Sequence, residues 1–179
     1  MIIGFTGKKG VGKTTAASFL VEQGWEKSSF ADPMRNMLRS FLRDYGLTYP
    51  EINYAMDNKE VNIPRLGVSY RHLMQTLGTE WGRCMVRDDI WVTMQRFKIS
   101  TARLGKCKSI VYDDIRFENE AELIRSFGGK IVHIKRPGLD NADGHVSESG
   151  IAIAAGDIVL DNCGNHGLLL DAVMKVIND

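Results

Sequence analysis

The sequence predicts an α/β domain built on a parallel β-sheet with helices on both faces. Short apolar runs alternate along the chain with longer segments of helical periodicity, an alternation that is typical of parallel sheets. The length of 179 residues fits one domain. The 44% share of hydrophobic residues is enough for a sizeable core. A glycine-rich turn joins the first predicted strand to the first predicted helix. This turn bears on function as well as on fold, as its spacing shows below.

Five apolar runs of strand length predict the strands. They cover residues 2–6, 25–30, 109–114 (SIVYDD), 130–136 (KIVHIKR) and 157–162 (DIVLDN). The second run is the weakest, because charged residues interrupt it. The third ends in Asp113 and Asp114, so a buried strand would carry acidic groups at its carboxyl end.

Helical spacing and glycine stop signals predict the helices. They cover residues 13–23, 31–46, 70–83, 89–102, 117–129 and 167–177. The second is strongly amphipathic, and Asp32 before Pro33 predicts an N-cap followed by proline in the first turn. Residues 47–69 carry prolines at positions 50 and 64 and predict an irregular segment.

The turn after the first strand has the spacing of a phosphate-binding P-loop, G-x-x-x-x-G-K-[ST]. Glycines let backbone N–H groups wrap an anion, and the following helix adds unpaired N–H groups and its positive dipole end. A lysine here reaches the β- and γ-phosphates, and a hydroxyl can ligate Mg²⁺. The ATP-binding residues predicted from this motif are Gly7, Gly10, Val11, Gly12, Lys13, Thr14 and Thr15.

Composition bears on the partners and the location of the protein. The net charge of +1 gives no electrostatic reason to expect nucleic acid or a membrane as partner. Three dispersed cysteines indicate neither a zinc site nor a disulfide scaffold. No apolar run approaches membrane-spanning length, so a cytoplasmic location is expected.

The class of nucleotide-binding protein follows from the motifs that are missing. The guanine-reading N-K-x-D motif of GTPases is absent and the chain is short for a helicase, which favours a small-molecule kinase.

A kinase that acts on a nucleotide needs cations beyond the P-loop lysine to hold two polyanions together. Arg116 and Arg136 follow predicted strands, where ligands bind in open parallel sheets, whereas Arg71 and Arg83 lie on a mid-chain helix. Asp113 or Asp114 is expected to orient Mg²⁺ through bound water. If the acceptor is a monophosphate, its own oxygen is already anionic, and no general base is required.

Several motifs together resemble the phage deoxynucleoside monophosphate kinases: GKKGVGKTT, FADPMRNML, YRHLMQTLGTEWGR, VYDDIRFENEA, IVHIKRPG and GHVSESGI. The resemblance implies a P-loop fold with a five-stranded parallel core, a monophosphate-binding insert and a short lid. Arg136 would stand at the start of this lid. It implies roles near the substrate for Arg71, Gly78, Thr79 and Asp114. It places Asn162 near the donor base, and His145 and Glu148 in the lid. The expected boundaries are a core at about 1–45, 84–136 and 155–179, an insert at about 46–83 and a lid at about 137–154.

The sequence therefore predicts an ATP- and Mg²⁺-dependent kinase of (deoxy)nucleoside monophosphates, host-cytoplasmic if phage-encoded, with small nucleotides as partners. A homodimer is left open. The alternatives are another small-molecule kinase, similar to dephospho-coenzyme A kinase or phosphomevalonate kinase, and a non-catalytic nucleotide-binding module. Expected catalytic residues are Lys13, Arg116 and Arg136. Expected substrate residues are Asp32, Arg71, Gly78, Thr79, Arg83 and Asp114, and the expected metal ligands are Thr14 and Asp114.

Overall fold

The computed structural model describes residues 1–104, 109–138 and 151–178. Contacts divide the chain into two compact units. The first unit comprises Met1–Phe30 and Gln95–Asp179, and the second comprises Ala31–Met94. The second unit is wider at both ends than the insert expected at 46–83.

The first unit is built on a five-stranded sheet with strand order β2-β3-β1-β4-β5, and every neighbouring pair is parallel. The strands are β1 (Ile2–Thr6), β2 (Glu26–Ser28), β3 (Ile110–Ile115), β4 (Lys130–Lys135) and β5 (Ile158–Asp161). The predicted P-loop α/β fold with a five-stranded parallel sheet is confirmed. Because β1 is central, the glycine-rich loop leaves the sheet between the ends of β3 and β4.

Helices cover both faces of this sheet, which explains its apolar strands. On one face, α1 (Lys13–Glu22) and α7 (His166–Asn178) share a core with side chains of β1, β3 and β4. The other helices are α2 (Asp32–Asp44), α3 (Tyr49–Asp57), α4 (Tyr70–Gln75), α5 (Ile90–Leu104) and α6 (Glu118–Ser126). Gly4 in β1 lets isoleucines of β3 and β4 close over it, since a Cβ there would lie 3.0 Å from Ile115 and 3.1 Å from Ile131.

A buried ionic cluster ties β4, α6 and the segment before β5 together. The carboxylate of Asp157 accepts hydrogen bonds from Arg125 Nε (3.0 Å) and Nη2 (2.8 Å) and from the Ala154 N–H (2.9 Å). His133 Nε2 lies 2.9 Å from the same carboxylate, so this strand histidine has a hydrogen-bond partner. Burial alone would raise the pKa of Asp157, but these hydrogen bonds outweigh it and lower the pKa to about 2.

The second unit is helical and has its own core, which includes Leu42, Ile52 and Tyr70. It contains α3, which was not predicted, because Pro50 was interpreted as a breaker. The proline lies in the first turn, where its missing N–H costs nothing. The capping box could have revealed this start, since Glu51 accepts a 2.8 Å bond from the Thr48 N–H.

After α4 the helix widens into a π-helical segment, Thr76–Val86, where the sequence predicted an ordinary helix to residue 83. Trp91 explains the widening. Its Nε1–H donates to the Gly78 carbonyl oxygen at 2.8 Å, and its ring occupies the space that a Cβ at Gly82 would need. π-Helical segments are rare and are found frequently at functional sites.

Within the described part of the chain, no helix combines the length and apolar character that crossing a membrane requires.

Candidate active site

The loop between β1 and α1 has the backbone conformation that phosphate binding requires. Gly7, Gly10 and Gly12 all have positive φ angles, 134°, 82° and 108°. A Cβ at Gly7 would overlap the Ile134 carbonyl oxygen of β4, so only glycine fits there. The loop therefore has a backbone path that a side chain at Gly7 would obstruct, and it leads into the N-terminus of α1, which is a favourable place for an anion.

Two side chains hold this loop against the core. Val11 is buried at 2% exposure within the core cluster of the first unit. Asn162, which follows β5, donates from Nδ2 to the Val11 carbonyl oxygen at 2.8 Å and accepts from the Gly164 N–H at 3.0 Å. Asn162 also limits Gly12, because a Cβ there would lie 2.8 Å from Nδ2. The side-chain amide of Asn162 thus holds the P-loop in place through its hydrogen bond to Val11.

Lys13 begins α1 and folds back over the loop. Its Nζ donates to the Gly7 carbonyl oxygen at 2.5 Å and to the Lys8 carbonyl oxygen at 2.7 Å. Thr14, next in the helix, is exposed, and Thr15 is partly exposed. The ammonium group therefore lies at the mouth of the loop, with a hydroxyl beside it in the first turn.

The carboxyl end of β3 contains a bulge where the two acidic residues stand. Gly4 pairs with Tyr112, but Thr6 pairs with Ile115, so β3 carries one extra residue between them. Bulges re-aim side chains next to functional sites. Here the bulge gives the two neighbouring carboxylates different partners. Asp113 binds Lys27 at 2.7 Å, and Asp114 accepts a hydrogen bond from Ser29.

Asp114 is held by the end of β2. Its carboxylate accepts hydrogen bonds from the Ser29 hydroxyl and from the Phe30 N–H, the latter at 3.2 Å. These partners fix the orientation of the carboxylate at the same sheet edge as the P-loop. Asp113 and Asp114, adjacent in sequence, thus lie in different environments.

Arg116 and Arg136 flank the P-loop on opposite sides, because each follows a strand that neighbours β1. Both side chains are exposed. The turn before α6 is fixed by buried Glu120, whose Oε2 accepts from the Arg116 N–H at 2.9 Å and from the Phe117 N–H at 3.2 Å. Arg136 lies beside the turn after β5, with Nη2 3.8 Å from the position of a Cβ on Gly164.

In the second unit, two predicted substrate residues are engaged in ion pairs. Arg71 Nε bonds Glu60, and Arg71 remains about one-third exposed. Arg83 is nearly buried, with Nη1 donating to the Asp88 carbonyl oxygen at 2.9 Å. Gly78 is buried, and a Cβ there would lie 2.7 Å from the Met34 sulfur, whereas Thr79 is exposed.

The N-cap prediction for Asp32 is wrong. The N-cap residue of α2 is Ala31, so Asp32 already lies in the first turn, and its carboxylate accepts from Arg35 Nη1 at 2.9 Å. Asp32 has helical backbone, so it lies inside the first turn and not at the cap position.

A family model described as deoxynucleotide monophosphate kinase matches residues 41–173, which is well over half of the chain.

The chain belongs to the deoxynucleotide monophosphate kinase family.

Relatives and a solved structure agree with this membership. A candidate deoxynucleotide monophosphate kinase of Acanthamoeba polyphaga mimivirus is 33% identical over 174 residues, 90% of this chain and 88% of the viral protein. The deoxynucleotide monophosphate kinase of Escherichia phage RB69 is 29% identical over 109 residues, 61% of this chain but only 45% of the phage protein. An unliganded sugar kinase from Janibacter sp. HTCC2649 has the same fold, with a TM-score of 0.54 at 13% identity, covering 99% of this chain and 93% of that one.

The predicted family and enzyme class are confirmed: the chain is a kinase of this family, in which ATP-dependent phosphorylation of a deoxynucleoside monophosphate is the named activity. This sets aside the coenzyme A-type and mevalonate-type kinases and the non-catalytic module. The individual site residues stay predictions. Most of the predicted lid, residues 139–150 with His145 and Glu148, lies outside the described residues.

Sequence reasoning missed the residues that support this kinase site. Ser29 holds Asp114 and Glu120 holds the turn at Arg116. The signal for Glu120 was present, since a glutamate three residues after Phe117 completes a capping arrangement. Ser29 carried no comparable signal, because its partner lies 85 residues away.

Proposed function

We propose that this chain transfers the γ-phosphoryl group of ATP to a deoxynucleoside monophosphate at the sheet edge where the P-loop, Asp114, Arg116 and Arg136 meet. The observation that supports it is the positive-φ P-loop, with an arginine after each strand that flanks β1. Transfer between two polyanions depends mainly on positioning and charge neutralisation. An anion-binding loop between two cations supplies both.

On the ATP side, the N–H groups of residues 7–15 would surround the β-phosphate. Lys13 would exchange one of its loop carbonyl partners for a phosphate oxygen, which is a small movement for a flexible side chain. Asn162 would contribute by supporting Val11, and its expected position near the donor base stays a prediction. In this proposal Lys13 binds ATP and stabilises charge that develops during transfer.

The residues present fit Mg²⁺, which prefers oxygen ligands and keeps several waters. Thr14 offers an exposed hydroxyl in the first turn of α1, and Asp114 offers a carboxylate that Ser29 and Phe30 orient. Asp113 is less suited, because it binds Lys27. When bound, the ion would neutralise charge on the phosphates of ATP.

For the acceptor, we propose that the second unit supplies recognition. Arg71 is the better candidate for the monophosphate, because it is partly exposed and its ion-pair partner, Glu60, is itself exposed. Arg83 binds a main-chain carbonyl and is almost buried, which favours a structural contribution. Asp32, Gly78 and Thr79 are proposed to line the same substrate side. The acceptor's own anionic oxygen would attack, so no residue is assigned as a general base.

A coupled assay of ADP release tests the proposal. The purified chain is mixed with Mg²⁺-ATP and, in turn, each deoxynucleoside monophosphate, each ribonucleoside monophosphate and dephospho-coenzyme A. We expect turnover with one or more deoxynucleoside monophosphates. Turnover only with dephospho-coenzyme A, or with no acceptor while ATP binds, would contradict it. Light scattering on the same samples would test the homodimer, and fractionation of producing cells would test the cytoplasmic location, both of which stay predictions.

A further inference from the structure

A second polar cluster lies in the core of the first unit, away from the P-loop. Its centre is Gln95, which is 2% exposed on α5. The side-chain Oε1 accepts from the Ser28 hydroxyl at 3.2 Å and from the Tyr112 hydroxyl at 3.1 Å, and Nε2 donates to the Ser29 carbonyl oxygen at 2.8 Å. Lys98, one turn further on, donates to the Ser28 hydroxyl at 2.9 Å. Apolar side chains could fill this buried position, so the polar groups are not needed for packing alone.

The position of Gln95 along the chain gives this cluster a second meaning. The chain leaves the first unit after Phe30 and re-enters it at Gln95. The hydrogen bond from Gln95 to the Ser29 carbonyl therefore joins the outgoing and returning segments inside the first unit. Ser29 and Phe30 are also the residues that hold the Asp114 carboxylate. The buried amide of Gln95 is thus linked to a proposed site residue, Asp114, through a single intermediate residue, Ser29.

We infer that Gln95 is a positioning residue, which holds Ser29 and Phe30 where they orient Asp114. The inference rests on the proposed function of Asp114. A satisfied buried polar network specifies one arrangement, whereas apolar contacts tolerate sliding. If the amide is lost, the end of β2 keeps its strand pairing but loses the bond that sets the Ser29 carbonyl. The Asp114 carboxylate then samples other orientations, and transfer slows because such sites tolerate little misplacement.

Two variants separate the amide's donor from its volume. Gln95→Leu removes all three hydrogen bonds. Gln95→Glu keeps the volume and the acceptor oxygens but places an acceptor against the Ser29 carbonyl oxygen. Val176→Ala, in the core at α7 and remote from the cluster in sequence, serves as a control for lost stability alone. Melting temperature, ATP dissociation constant, kcat and the KM for the monophosphate are measured for each.

We expect both Gln95 variants to lower kcat about tenfold to a hundredfold, with the dissociation constant of metal-free ATP unchanged within about twofold. The partners of Gln95 given above lie on β2, on β3 and at Ser29 just after β2, not on the P-loop, so binding of metal-free ATP has no reason to weaken. Val176→Ala should melt earlier yet keep its kcat at a temperature where it is folded. The deficit of Gln95→Glu should shrink as the pH is lowered, because a protonated carboxyl can again donate to the Ser29 carbonyl.

The inference is overturned if both Gln95 variants keep their kcat, or if they lose no more than Val176→Ala at an equal loss of melting temperature. Loss of affinity for metal-free ATP in step with kcat would also overturn it. If Gln95→Leu does not fold, Gln95→Glu with its pH profile decides. Absence of transfer by the wild-type chain would count against the proposed function instead, so the two failures are distinguishable.

Discussion

Lys13 tests the P-loop at the scale of one side chain. The ammonium group contacts main-chain carbonyl oxygens at the mouth of the loop. Lys13→Ala should therefore remove most transfer activity by losing stabilisation of developing charge, with little change in melting temperature. The exposed loop lysine Lys9 provides the control, since Lys9→Ala should keep near-normal kcat. A Lys13→Ala protein with near-normal kcat would refute the P-loop assignment.

Arg136 tests whether a cation beside the loop acts during transfer. Arg136→Ala should lower kcat by about a hundredfold or more, as expected for an arginine that stabilises transferring charge, with KM values changed less. Arg136→Lys should rescue little, because an ammonium cannot replace the planar fork of a guanidinium. Lys135→Ala, at the preceding exposed position, is the control. Steady-state kinetics in which only KM rises would make Arg136 a ground-state clamp.

Substitution of Arg71 tests whether this residue binds the monophosphate and not ATP. Arg71→Ala should weaken binding of the monophosphate by about 1.5–3 kcal/mol, which is tenfold to about a hundredfold in Kd, and leave ATP binding almost unchanged. Arg43→Ala, which removes another exposed ion pair of the same unit, should change neither. Titration calorimetry with each nucleotide separately gives the comparison. Equal losses for both nucleotides would make Arg71 a structural residue.

At the scale of elements, the π-helical segment depends on the fit between Gly82 and Trp91. Gly82→Ala places a methyl group inside the space of the indole ring, so it should lower the free energy of unfolding by about 1–3 kcal/mol. Glu80→Ala, an exposed position in the same segment, should change it by less than about 0.5 kcal/mol. Urea unfolding measures both. Equal effects of the two changes would show that the indole contact contributes nothing specific.

The Asp157 cluster makes the packing of β4, α6 and β5 dependent on pH. The pKa of Asp157 is lowered to about 2, so the ionised carboxylate stabilises the fold above its unfolded pKa and this contribution disappears as pH falls toward 2. The shift corresponds to about 2 kcal/mol. The stability difference between wild type and Asp157→Asn should shrink as pH is lowered from about 5 to about 2. A stability difference for Asp157→Asn that stays constant over this pH range would contradict the assignment.

Local patterns explain why most elements were predictable. The P-loop, the strand cores and the amphipathic α2 are encoded in residues close together in sequence, so spacing alone reveals them. The π-helical segment was not predictable, because it depends on a tryptophan that follows it and packs into it. Likewise, the separate environments of Asp113 and Asp114 come from Lys27 on β2 and from Ser29 just after it. Long-range partners of this kind leave no periodic signal.

At the scale of the whole molecule, the order of strands has a consequence for biosynthesis. Among the described residues, the central strand β1 pairs with β3 and β4 alone, so Ile2 can pair with Ile110, and Ile3 with Lys130, only after those residues have been synthesised. A ribosome adding about 5–20 residues per second would need roughly 5–25 s to deliver both partners. During that interval an apolar strand and its phosphate loop have no sheet to join. Pairings so distant in sequence also predict slow refolding in vitro, and nascent chains that benefit from a chaperone until the second half has emerged.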